Sequence, residues 1–184
     1  MAEALKFIDT GFARGGIMSW DLHVRCSGEV EFEAFCAEVI RVAKELTGVD
    51  VPPVIVENSS GYETHWRPKL VGEGPLIAFR GVPSSVELIE FAARELDGTE
   101  YPRVSVELPF ASPAGGYALA VTGAIALGRM NQALILDDPG FFTPRGGWLS
   151  AEELLDSVRA GKSGSGRNKL CEAIALLGEA AARE

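Results

Sequence analysis

Two different hydrophobic periods follow each other along this chain, and together they predict an α+β fold. From Ser19 to Cys26 every second residue is apolar, as in a strand with one buried face. Residues 31–47 repeat apolar side chains at the i, i+3, i+4, i+7 spacing of an amphipathic helix, which Thr47-Gly48 would end. Shorter apolar or alternating runs predict strands at 54–56, 76–79 and 103–108.

A second helix is predicted between the last two of these strands. Ser84 and Glu87 have the spacing of a capping box, and Asp97-Gly98 would stop the helix after Leu96. The resulting order, strand–helix–strand–strand–helix–strand, is that of a ferredoxin-like βαββαβ core over about residues 18–110.

The remaining part, residues 111–184, is predicted to extend this core. Residues 118–127 carry no charge, which is typical of a buried helix, and they are too few to span a bilayer. A hairpin should follow, with a strand at 133–136 and a turn at Asp137-Asp138-Pro139-Gly140. Two C-terminal helices complete the prediction: a capping box at Ser150 to Glu153 begins one, which ends near Arg159, and after a linker at 161–166 the other spans about 167–182.

Length and charge limit the classes of function. A chain of 184 residues is the size of a single domain, so 1–184 is taken as one α+β unit. The net charge of −9 argues against nucleic acid and against an anionic membrane surface as partners. It fits a basic protein partner, and equally an acidic surface that serves only solubility.

The cysteines and the N-terminal residues predict a cytoplasmic protein. The opening sequence has no apolar segment of signal-peptide length. The three cysteines, Cys26, Cys36 and Cys171, form neither a disulfide framework nor a zinc motif and fit small core residues better than nucleophiles.

No motif for catalysis, metal or cofactor binding is complete. Gly161-Lys162-Ser163 resembles the end of a phosphate-binding loop, but Asp156 stands where that motif needs glycine and a helix precedes it. With only two histidines, His23 and His65, the zinc-protease motif is absent. We therefore assign no catalytic residue, no metal ligand and no cofactor.

A polar segment at 58–75 is the first candidate binding surface. It contains Tyr62, Glu63, His65, Trp66 and Arg67, and tyrosine, tryptophan and arginine are the residues enriched at binding hot spots. The alternative is that Trp66 packs at the edge of the core while its neighbours are solvated.

The second candidate surface is the hairpin at 141–148, with Phe141, Arg145 and Trp148. These aromatic residues either form a rim for a partner or cover the sheet. Asp137 and Asp138, just before the hairpin, have the chemistry for a divalent cation or for acid–base catalysis, but their sequence context favours a turn.

Residues 119–155 resemble a pattern in small bacterial proteins, including immunity-type proteins of toxin systems. The resemblance rests on three segments: the small-residue helix ALAVTGAIALGR, the strand ALILDD and the helix start WLSAEEL at Trp148 to Leu154. It implies a bacterial α+β protein and carries over no catalytic residue.

These observations lead to one principal functional hypothesis and two alternatives. The first is a non-enzymatic, acidic, cytoplasmic binding protein of immunity or regulatory type, which uses both candidate surfaces against a protein partner. The second is a small enzyme or ligand-binding domain that combines Glu63, His65 and Arg67 with Asp137 or Asp138. The third is an oligomerisation subunit that buries apolar surface in a homodimer.

Overall fold

Strands and helices cover most of the chain that the structure describes. The computed structural model describes residues 19–26, 30–56, 65–66, 71–84, 86–94, 100–109, 114–138, 147–160, 172 and 175–179. The elements within these ranges are β1 (Ser19–Val24), β2 (Val30–Glu31), α1 (Phe32–Thr47), β3 (Val54–Val56), β4 (His65–Trp66), β5 (Val71–Phe79), β6 (Val86–Arg94), β7 (Glu100–Pro109), α2 (Ala114–Asn131), β8 (Ile135–Asp138), β9 (Gly147–Leu149) and α3 (Ala151–Arg159).

The strands form one large and one small antiparallel sheet. The large sheet has seven strands in the order β3-β5-β6-β7-β1-β8-β9, and β2 pairs with β4 separately. Apart from Ala78, the buried apolar residues of the described ranges belong to a single cluster that joins this sheet to the helices. The fold is therefore mixed α+β, as the two hydrophobic periods indicated.

The predicted helix from Ser84 to Leu96 is wrong, because residues 86–94 form β6, a strand in the middle of the sheet. The Ser84 hydroxyl does not cap a helix. It accepts a hydrogen bond from the Phe79 amide (2.8 Å) and donates one to the Val82 carbonyl (2.8 Å), which closes the turn between β5 and β6. The backbone of β6 is satisfied by pairing with β5 on one side and β7 on the other. The ferredoxin-like arrangement is not confirmed, since it needs a helix here.

Helix α1 confirms the amphipathic pattern at 31–47. Its buried residues are Phe32, Phe35, Val39, Val42 and Ala43. Gly48 ends the helix in the left-handed region (φ 76°), as the sequence predicted. The Glu31 carboxylate caps the start, accepting from the amides of Glu33 (3.1 Å) and Ala34 (2.7 Å).

Helix α2 confirms the buried helix and lies at the centre of the core. Every residue from Gly115 to Gly128 is buried. The helix packs against β1 and β7 and against α1, where a methyl group at Gly123 would lie 3.7 Å from Phe35 Cζ. The hydroxyl of Thr122, a polar residue in this run, donates to the Ala118 carbonyl at 2.8 Å, so its burial leaves no unmet donor.

The hairpin and α3 follow the prediction with one correction. β8 is Ile135–Asp138 rather than 133–136, so both aspartates belong to the strand and the turn interpretation of Asp137 is wrong. β8 pairs with β9, and the capping box at Ser150 and Glu153 begins α3, as predicted. Helical backbone is described at 172 and 175–179, where Leu177 is buried. The linker at 161–166, Cys171, and Pro139 with Gly140 lie outside the described residues.

Within the described ranges, no helix combines the length and the apolar character that crossing a bilayer requires.

Candidate functional site

The first predicted surface, at 58–75, is only partly described and is not one continuous loop. Residues 71–75 belong to β5, and His65 and Trp66 form β4. His65 pairs with Glu31 and Trp66 with Val30, so β4 lies beside the start of α1. Tyr62, Glu63 and Arg67 lie outside the described residues.

The second predicted surface contributes Trp148, which is exposed. Trp148 is the middle residue of β9, pairs with Leu136 of β8, and keeps 44% of its surface accessible. Phe141 and Arg145 lie outside the described residues. The hairpin was predicted to form either a rim for a partner or a cover for the sheet. The exposure of Trp148 favours the rim.

The structure does not bring the two predicted surfaces together in its described part. β4 lies at Glu31, which begins α1, whereas α3, which follows Trp148, joins the other end of α1 at Glu45 through Arg129. Glu45 lies fourteen positions after Glu31, a distance of about 21 Å along the helix at 1.5 Å per residue. The described residues of each surface are therefore considered separately.

The structure places Asp137 and His65 in different sheets. His65 belongs to the two-stranded sheet and Asp137 to the seven-stranded sheet. Asp137 is completely buried and pairs with Leu22, which is itself fully buried against the helices. The Asp137 carboxylate therefore belongs to the core of the large sheet.

Around Trp148 the register builds a partly exposed line on the opposite side of the sheet. On β1, Leu22 and Val24 are fully buried while His23 between them is half-buried, so alternate residues face away from the helices. His23 pairs with Leu136, and Leu136 with Trp148. Directly paired residues lie on the same face, which makes His23, Leu136 and Trp148 one line across three strands.

Leu134 enlarges this apolar area. Its carbonyl accepts a hydrogen bond from the Arg25 amide (3.2 Å), which continues the β1–β8 ladder by one residue. It stands two positions before Leu136 and is 48% exposed, the largest exposure among the large apolar residues described. We call Leu134, Leu136 and Trp148 the corner patch.

A cluster of charged residues links α1, α2 and α3. The Arg129 guanidinium donates to both carboxylate oxygens of Glu45 (3.0 and 3.2 Å) and of Glu152 (2.7 and 3.0 Å). Arg159 also donates to Glu45 at 3.2 Å. Hydrogen bonds from Arg129 lower the pKa of Glu45 and of Glu152, and these bonds raise the pKa of Arg129. Since its charges are paired within the fold, we assign the cluster a structural role.

The described cysteines fit the prediction of small core residues. Cys26 is fully buried. Burial, with a smaller contribution from Glu31 and Glu33, raises the pKa of the Cys36 thiol to about 12. A thiol with that pKa is protonated at neutral pH and is a poor nucleophile or metal ligand.

The described residues contain no group of three or more histidine, cysteine, aspartate or glutamate side chains arranged to hold a metal ion. Comparison with protein-family models, with curated proteins and with solved structures finds no match to this chain. The resemblance of residues 119–155 to immunity-type proteins therefore stays a prediction.

Of the corner patch, the sequence singles out only Trp148. The pattern at 133–136 predicts one apolar strand, and His23 falls on the polar side of another. Their meeting depends on the pairing of β1 with β8, two strands about 110 residues apart in the chain, for which the sequence contains no local signal. The alternation at 19–26 indicated which residues share a face, but not what lies beside them.

Proposed function

We propose that this chain is a non-catalytic, cytoplasmic binding protein, of immunity or regulatory type, that captures a protein partner with a basic surface. The observation that carries the proposal is the exposure of Trp148 (44%), together with that of Leu134 (48%), which directly precedes β8, the strand that pairs with β9. Tryptophan is one of the residue types enriched at protein-binding hot spots.

The charge of the chain supports the same proposal. A net charge of −9 attracts a basic partner and speeds its encounter with the surface, an effect that weakens as salt is added. The resemblance to immunity-type proteins is consistent with this chemistry but does not identify the partner.

An affinity capture from the native host tests the proposal. We expect the tagged protein to retain one protein at stoichiometric amount and Trp148→Ala to lose it. Val49→Ala is the matched control, because Val49 is also apolar and exposed (40%) but follows α1. Failure of the unaltered protein to retain any stoichiometric protein would contradict the proposal and favour the small-molecule alternative.

The oligomeric state tests the third hypothesis at the same time. Sedimentation of the purified chain at high micromolar concentration should give a monomer. A dimer that dissociates in Trp148→Ala would instead make the exposed corner an interface between two copies.

A further inference from the structure

We draw no further inference here: the strongest candidate, the corner patch of Leu134, Leu136 and Trp148 where β8 pairs with β9 at the edge of the large sheet, carries none, because nothing in the described part of the structure shows what covers it.

Discussion

The two sides of the large sheet are built from the same strands but have opposite environments. On β1 and β8, Leu22, Val24 and Ile135 are fully buried under the helices. Their immediate neighbours His23 and Leu136 are half-buried, and Leu134 is 48% exposed. Because successive residues of a strand face opposite sides, a shift of one position separates a core residue from a surface residue. Apolar character alone therefore does not show whether a residue is buried in the core or exposed at the surface.

The largest expected effect comes from truncating one leucine on each side. Leu22→Ala should lower the free energy of unfolding by about 2–5 kcal/mol, because it leaves a cavity in a packed core. Leu134→Ala should change it by less than about 0.5 kcal/mol, as for other exposed positions. Urea unfolding of both variants measures the difference. Similar losses in the two variants would mean that the side carrying Leu134 is covered in solution.

Substituting two glycines of α2 by alanine tests how tightly this helix is packed against its neighbours. A methyl group at Gly115 would lie 2.6 Å from the Pro83 carbonyl oxygen, so Gly115→Ala should cost about 1–3 kcal/mol. Gly123 has space for the same group, 3.7 Å from Phe35 Cζ, and Gly123→Ala should stabilise the helix by up to about 1 kcal/mol. Thermal unfolding should therefore shift in opposite directions, and a common direction would contradict the packing described for α2.

Removing the charged cluster at the ends of the helices should lower the free energy of unfolding less than a core truncation does, but more than a truncation at the exposed corner. Arg129 has 14% of its side chain exposed and binds carboxylates of α1 and α3. Arg129→Met, which retains an apolar stem, should cost about 1–2 kcal/mol in urea unfolding. The exposed Arg80 offers a matched control, since Arg80→Met should have almost no effect. An equal loss in the free energy of unfolding for the two variants would mean that the cluster does not stabilise the packing of the helices.

The smallest expected effect is on the pH dependence of the stability that the Arg129 cluster contributes. The pKa values of Glu45 and Glu152 are lowered in the folded protein, so their stabilisation is complete above their ordinary value of 4.5. It is lost as the pH falls through the lowered values, where both carboxylates become protonated. The stability difference between the unaltered protein and Arg129→Met should thus narrow below about pH 4.5 in unfolding curves. A difference that stays constant down to pH 3 would mean that these ion pairs do not carry it.

The local elements were predictable wherever a period and an end signal agreed. The helix at 31–47 has both an apolar stripe and a terminating glycine, Gly48. Residues 118–127 carry no charge, which is typical of a helix that is buried on all sides, as it is here. The failure at 84–96 has a particular cause. Ser84 and Glu87 satisfy the local pattern of a helix start, but the Ser84 hydroxyl is used in the preceding turn and two neighbouring strands pair with β6. Long-range pairing outweighed local propensity there.

In the candidate site too, the sequence indicates some residues, and strand pairing decides the placement of others. The aromatic residues at 141–148 predict either a rim for a partner or a cover for the sheet, and the exposure of Trp148 favours the rim. The exposure of Leu134 and the pairing of His23 with Leu136 have no local signal, since each residue is ordinary in its own segment. Asp137 was assigned to a turn because of the following proline and glycine, whereas its strand continues through it and buries it.

The sequence by itself determined the α+β class, the amphipathic helix α1, the buried helix α2, the capping box of α3 and the acidic charge, because each depends on residues close together in the chain. Only the tertiary structure decided that residues 86–94 are a strand, that β1 lies between β7 and β8, and that His23, Leu136 and Trp148 form one line across three strands. Those features arise from pairing between distant strands, where register, rather than local composition, determines which side chains become neighbours.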